Sequence, residues 1–302
     1  MFLRSCGEHK ARLTFLTEMA HSDGAPFLRL GAEPPASPVL LSVPHAGRDY
    51  SDALLGASRL PLHTLEVLED RLVDRLIWRA VAAGCAAIVA QRPRAEIDLN
   101  RDEREIEPAT VAPPPPAGSI LQSLRTRSGL GLIPSRIAGS GAIWTRRIEQ
   151  RELQRRIDEI HAPYHHALAS MLREVRARFG IAILLDCHSM PPGSAGRAGI
   201  VLGDRHGTAI APALIDAAAD AARAAGYEVA INKPYAGGHI TARHGRPSAG
   251  IHALQLEIDR ALYLDEDLRS PGASFDAVTQ LIESVAQALA DRAIGAPALA
   301  AE

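Results

Sequence analysis

Two histidines stand where short apolar runs break off: His45 after Pro38 to Val43, and His188 in Asp186-Cys187-His188-Ser189-Met190 after Ile181 to Leu185. Imidazole is a common ligand for zinc-type cations and the usual proton carrier near neutral pH. Carboxylates that could join these rings lie on two other stretches. Glu66, Glu69, Asp70 and Asp74 cluster between Leu65 and Ala83, and Glu257 sits in Ala253-Leu254-Gln255-Leu256-Glu257-Ile258. A carboxylate in an otherwise apolar strand is costly to bury without a partner, which singles out Glu257. Arg101, at the end of Ile97-Asp98-Leu99-Asn100-Arg101, offers a planar fork suited to a substrate carboxylate. Two histidines, a helix carboxylate, a strand carboxylate and an arginine are the parts that metal-dependent amide hydrolysis needs: a cation with a position left for water, a base, and an anchor. Each part alone has an ordinary explanation. Turn histidines often face water, the Glu66 to Asp74 cluster fits a solvated face salted by Arg71 and Arg75, and Arg101 could pair with Asp102 or Glu105 on the surface.

The elements that must position these groups alternate between strand and helix. Pro38 to Val43, Ala86 to Ala90, Ile181 to Leu185, Gly199 to Gly203, Tyr227 to Ile231 and Ala253 to Ile258 read as strands. In the last of these, Leu254, Leu256 and Ile258 share one face while Gln255 and Glu257 share the other. Leu65 to Ala83 reads as one helix with Leu65, Leu68, Leu72 and Leu76 inward, and Gly84 ends it. A long helix is expected from about Thr145 to Phe179, interrupted near Pro163, and others from Ala209 to Gly226 and up to about Arg292. His161 and His165 have the i, i+4 spacing of a helical metal pair. No acidic residue completes that pair at helical spacing, so with His166 they are expected at the surface or at an interface. Pro113 to Pro116 forces a loop. Gly237-Gly238 allows close backbone approach to a ligand, without the Gly-Lys-Ser/Thr ending of a phosphate loop.

The chain has 302 residues, 47% of them hydrophobic, and a formal net charge of −2. That supports one sizeable α/β domain, expected over residues 25–295, behind a weakly ordered N-terminal tail over residues 1–24. No basic excess points to nucleic acid or an anionic membrane, and a small molecule is the expected partner. The three cysteines, Cys6, Cys85 and Cys187, are far apart and odd in number, which fits a reducing compartment and a cytoplasmic protein. Composition leaves the oligomeric state open.

Five runs, taken in order, resemble the N-formylglutamate amidohydrolase family: Val43-Pro44-His45-Ala46-Gly47, Ile97-Asp98-Leu99-Asn100-Arg101, Asp186-Cys187-His188-Ser189-Met190, Pro234-Tyr235-Ala236-Gly237-Gly238 and Leu254-Gln255-Leu256-Glu257-Ile258. The likeness extends from Pro38 to Asp267. Ala46 stands where the family usually has serine, Glu69 where threonine is common and His239 where tyrosine is frequent. The resemblance implies a three-layer αβα fold with a mixed central sheet, similar to zinc-dependent carboxypeptidase-like hydrolases. It also implies Zn²⁺, or another divalent metal, held by His45, Asp70 and His188, with Glu69 as the fallback acid. Glu257 would be the general base. Arg101 would bind the substrate's α-carboxylate, with Asn100, Gly237, Gly238 and Arg243 completing the pocket, and Asp186 would orient a ligand. The implied reaction is hydrolysis of N-formyl-L-glutamate to formate and L-glutamate. The rivals are a deacylase or carboxypeptidase-like hydrolase for another N-acylated amino acid, and a noncatalytic binder of acidic metabolites.

Overall fold

The computed structural model describes residues 24–295 and, ahead of them, Arg12, Thr14 and Phe15; most of the expected 1–24 tail lies outside the described residues. Seven strands form the central sheet: β1 (Phe27–Leu30), β2 (Val39–Val43), β3 (Ala86–Ala90), β4 (Ala182–Met190), β5 (Ile200–Gly203), β6 (Val229–Ile231) and β7 (Ile251–Asp259). They lie in the order β1-β3-β2-β4-β7-β5-β6. The pairs β3/β2, β2/β4, β4/β7 and β5/β6 are parallel, whereas β1/β3 and β7/β5 are antiparallel, so the sheet is mixed as expected.

Strand alternation divides the core into two layers. Val39, Leu41, Val43, Ile183, Leu185, Cys187, Leu254, Leu256 and Ile258 pack on one face against α1 (Val73–Leu76), α2 (Trp78–Ala82), α5 (Pro212–Ala224) and α7 (Phe275–Gly295). Leu40, Ile88, Ala182, Leu184 and Ala253 pack on the other against α4 (Ala162–Phe179) and the segment between β3 and α4. This is the three-layer αβα arrangement. Among the described residues no helix is long and apolar enough to cross a membrane.

Two elements depart from expectation where they approach the site. The single helix expected from Leu65 to Ala83 is broken. Leu62–Leu65 is helical and Glu66–Leu68 is a 3₁₀ turn; Glu69 is extended, Leu72 lies in the left-handed region at φ 63°, and α1 and α2 follow. The Asp70 N–H donates to the His45 carbonyl at 2.9 Å, so this backbone is tied to the end of β2 rather than to a helical turn. The break brings Glu69, Asp70 and Asp74 indoors, and none of them lies on a solvated face. Strand β4 also runs beyond Leu185 to Met190, because β7 pairs with it residue for residue along its whole length. Asp186 and His188 are therefore strand residues with fixed orientation.

The expected long helix begins at α3 (Gln150–Arg156), passes through a π-helical turn over Ile157–His161 and continues as α4. His161 and His165 are 0% and 1% exposed, which overturns their expected surface placement. The reason is that residues 99–101 and the helix α6 (His239–His244) pack over them, a cover no local pattern on α4 announces.

Candidate metal centre

On the α4 face of the sheet, Leu40 and Ser42 of β2, Leu184, Asp186 and His188 of β4, and Ala253, Gln255 and Glu257 of β7 point the same way. Apolar side chains fill the amino-terminal half of this column and polar ones the carboxyl-terminal half, where ligands bind in open α/β sheets. Ser42 Oγ donates to Asp186 Oδ1 at 2.8 Å and lies 3.0 Å from the Tyr164 hydroxyl, so the polar column is anchored to α4.

His45, two residues past β2, meets Asp70 and His188 there. His45 Nδ1 is 3.2 Å and His188 Nδ1 2.9 Å from Asp70 Oδ2, and Asp70 is 2% exposed. The far nitrogens are also engaged. His45 Nε2 lies 2.7 Å from Asp98 Oδ1 and His188 Nε2 2.9 Å from Asp186 Oδ2. Each ring thus lies between two carboxylates, Asp70 on the Nδ1 side and Asp98 or Asp186 on the Nε2 side, and a carboxylate only accepts, so hydrogens are called for on both sides. A divalent cation in place of the hydrogens on the Nδ1 side would use both Nδ1 lone pairs and the Asp70 oxygen and leave each Nε2–H donating to its outer acid. Burial alone would lower the His188 pKa, but Asp186 and Asp70 hold it well above the usual imidazole range. Burial would raise Asp70, but hydrogen bonds from His188 and His45 hold it well below the carboxylate range. This donor set fits a divalent cation of the zinc class, and the carboxylates behind both rings fix tautomer and orientation as outer ligand partners do.

Glu69 does not join this cluster. Its oxygens accept from the Tyr50 hydroxyl and from Arg71 NH1, each at 2.8 Å. Asp70 Oδ1 instead receives Ser189 Oγ at 3.3 Å and Arg260 NH2 at 3.4 Å. Arg260 also reaches Ser189 Oγ and the Glu69 carbonyl, binding the Asp70 loop to the end of β7.

Glu257 stands opposite His188 in the parallel register of β4 and β7. It accepts from Gln255 Nε2 at 2.7 Å. Burial pushes its pKa up to about 7; the His188 charge opposes that rise and Asp70 adds to it.

Arg101 is 2% exposed, so the surface ion pair is excluded as its setting. Its Nε donates to the Leu130 carbonyl at 2.8 Å and its NH1 to the Asn100 carbonyl at 2.7 Å. NH2 is 3.5 Å from Asp98 Oδ2, within ion-pair range but without a hydrogen bond. Burial lowers the guanidinium pKa to about 10, against the raising effect of Asp98. Asn100 Nδ2 contacts His188 Nε2 at 3.2 Å, and Asn100 Oδ1 accepts from Ile240 N at 2.8 Å. A β-carbon on Gly238 would stand 2.3 Å from that amide, and Gly237 has φ +113°, so the glycine pair is what lets α6 close on Asn100. Arg243 is farther along α6 and donates to Glu103 Oε1 at 3.0 Å.

Two contributors were not marked in the sequence as partners of the centre. Asp98, the acceptor for His45 Nε2, also receives Arg94 Nε at 2.9 Å; burial would raise its pKa, but Arg101, Arg94 and His45 hold it well below the carboxylate range. Arg94, buried among acids, is raised by Asp98, Asp70 and Glu257 against desolvation, which places a cation next to the same cluster. The alternation Ile97-Asp98-Leu99 marks Asp98 as facing a cleft, without naming its partner.

Comparison with known proteins gives a consistent assignment. The sequence model of the N-formylglutamate amidohydrolase family matches residues 37–264. The N-formylglutamate deformylase of Pseudomonas aeruginosa is 30% identical over 241 residues, covering 76% of this chain and 83% of the relative. That of Pseudomonas putida is 31% identical over 235 residues, covering 76% and 82%. The crystal structure of N-formylglutamate amidohydrolase from Ralstonia eutropha superposes with a TM-score of 0.80 at 34% identity, covering 87% of this chain and 98% of that one.

Proposed function

The chain belongs to the N-formylglutamate amidohydrolase family, and we propose that it hydrolyses N-formyl-L-glutamate, or a closely similar N-acyl amino acid, to the free acid and the amino acid. The observation that carries this reading is the convergence of His45 Nδ1, His188 Nδ1 and Asp70 Oδ2 beside a buried Glu257 whose pKa is raised to about 7. His45, Asp70 and His188 would hold the divalent metal, which when bound supplies Lewis acidity and lowers the pKa of a water molecule.

The remaining roles follow from the chain's own groups. With a cation on the Nδ1 side, Asp98 and Asp186 would hold both rings in the tautomer that carries the hydrogen on Nε2. Glu257, as the carboxylate, takes a proton from the attacking water while the water oxygen adds to the formyl carbon. It then returns that proton to the amide nitrogen as the C–N bond breaks, releasing formate and the amine. A base whose pKa is raised toward 7 is matched to both transfers at neutral pH, whereas an ordinary carboxylate is a weaker acceptor of the water proton. Arg101 NH2 is the unused donor for a substrate carboxylate, and Asn100 with Gly237-Gly238 closes the pocket near it. Arg243, held by Glu103, supplies a further positive charge on the same side.

The test is an assay of released free amino acid on the metal-loaded protein with N-formyl-L-glutamate, N-formyl-L-aspartate and N-acetyl-L-glutamate. Turnover of N-formyl-L-glutamate above the other two supports the reading. Preference for the acetyl compound would reassign the chain to another N-acyl amino acid, and absence of turnover on all three would remove the enzymatic reading.

A further inference from the structure

The π-helical turn and α4 carry a second group of histidines. His161 ends the π turn and His165 follows it by one turn of helix. His161 Nε2 lies 2.9 Å from the Arg101 carbonyl and His165 Nε2 3.0 Å from the Leu99 carbonyl. A carbonyl only accepts, so both Nε2 atoms carry hydrogen and both Nδ1 atoms present lone pairs. His165 Nδ1 receives His244 Nε2 at 3.0 Å. His161 Nδ1 has no hydrogen-bond donor although it is buried, and the charged group beside it, Glu103 Oε1 at 3.4 Å, is another acceptor. His239 begins α6 directly after Gly237-Gly238, and its Nε2 is buried without a partner as well. Among the described residues five buried side-chain polar atoms lack a hydrogen-bond partner, and two of them fall in this one cluster.

We infer that His161, His165 and His239 form a second cation site, separate from the His45–Asp70–His188 cluster, which takes a transition-metal ion of the Zn²⁺, Co²⁺ or Ni²⁺ class. Their donor atoms lie within 4.8 Å of one another. In a tetrahedral zinc site, bonds of about 2.0–2.1 Å put neighbouring nitrogens roughly 3.4 Å apart, so the rings must draw in by about an ångström. His239 can make that movement, because it is only half-buried and sits on a short helix after two glycines, whereas His161 and His165 are locked by their carbonyls.

Neutral imidazole donors select borderline transition metals over Mg²⁺ or Ca²⁺, and backbone carbonyls behind two of them orient ligands in the way outer partners do. Burial lowers the pKa of all three rings, which keeps them neutral near neutral pH; His161 Nδ1 and His239 Nε2 make no hydrogen bond, and a metal at His165 Nδ1 takes the place of the hydrogen bond from His244 Nε2. Glu103 brings a negative charge beside the site, its Oε1 atom shared with Arg243. The two clusters flank residues 99–101: the carbonyls of Leu99 and Arg101 orient this one, while the Asn100 side chain contacts His188 of the other.

The experiment strips the full-length protein with a chelator, reloads it with Zn²⁺ or Co²⁺, and measures metal by elemental analysis, with Co²⁺ absorption as a second readout. The parent should hold about two equivalents. His239→Phe, at a half-exposed position, should lose one equivalent and keep the other, while His188→Ala should lose the opposite one. A parent that holds about one equivalent, with His239→Phe unchanged, overturns the second site. So does a second equivalent that survives in His239→Phe. If the parent holds a single equivalent that His239→Phe loses and His188→Ala retains, the second site stands and the centre proposed for hydrolysis falls.

Discussion

His188 and Glu257 face each other across two neighbouring parallel strands, at a register position shared by β4 and β7. Both side chains belong to the column that alternation turns toward α4, so the sheet itself sets the spacing between an inward-turned imidazole and the carboxylate beside it. No loop has to close to bring them together.

The raised pKa of Glu257 gives the reaction a pH dependence with a defined sign. The base works only as the carboxylate, so kcat/KM should rise with pH as its proton leaves, toward the value of about 7 produced by burial. A bound cation beside it draws the limb downward, so the acid limb should fall between the ordinary value of 4.5 and about 7. Glu257→Gln should lower kcat by roughly 10²- to 10⁴-fold with metal content retained. A limb centred on the ordinary carboxylate value, or a glutamine variant with near-parental kcat, would remove Glu257 as the base.

Asp98 and Asp186 are placed behind the two imidazoles in equivalent fashion. Asp186→Asn keeps the shape and the Ser42 contact while weakening acceptance from His188 Nε2. Metal affinity, read by competition with a chromophoric chelator, should drop about 10- to 100-fold. Asp98→Asn should do the same through His45 and also lower thermal stability, because Arg94 and Arg101 lose the charge they face. Unchanged affinity in both variants would mean that the rings are oriented by something else.

Much of this site could be read from residue order, and what could not be read has a physical cause. The places of His45 and His188 near the carboxyl ends of β2 and β4, and the opposite sides taken by Glu257 and by Leu256 and Ile258, follow from local periodicity, which a single strand displays by itself. The pairing of His45 with Asp98 spans 53 residues and depends on how one loop lies over another, which no period encodes. Helical spacing from Leu65 to Ala83 is also genuine in sequence, yet burying three carboxylates near the end of β2 overrides it, with Leu72 left-handed at a cost of about 1–2 kcal/mol. The histidines of α4 illustrate the same limit. Their i, i+4 spacing is local, but their burial is conferred by residues 99–101 and by α6.

Arg101 combines a structural task with a proposed binding one. Its Nε and NH1 hold the Leu130 and Asn100 carbonyls, so only NH2 remains for a substrate. Arg101→Lys keeps a charge but loses those fixed donors, and it should raise KM for N-formyl-L-glutamate about tenfold or more while kcat changes less. Melting temperature measured alongside separates the two tasks. A variant with lower melting temperature and unaltered KM would leave the arginine a purely structural residue.

The hydrogen bond from His244 to His165 should make stability depend on pH in a predictable direction. Burial, with Arg243 and His239 adding to it, drives the His244 pKa down to about 3; burial and His161 lower His239 to about 4. A histidine whose folded pKa lies below its unfolded value of 6.5 binds fewer protons when folded. The stability tied to its neutral form is therefore fully present above pH 6.5 and is lost as pH falls from 6.5 toward the folded value. His244→Phe fills the space but cannot donate to His165 Nδ1, so at pH 7.5 it should be less stable than the parent by about 1–2 kcal/mol. It also cannot take up a proton on unfolding. The parent should then lose stability faster than the variant between pH 6.5 and 4.5, and the gap between them should narrow or reverse. Urea unfolding at pH 7.5, 6 and 4.5, with chelator present so that no metal contributes, gives the comparison. A gap that stays constant over that range would show that His244 titrates alike in the folded and unfolded chains.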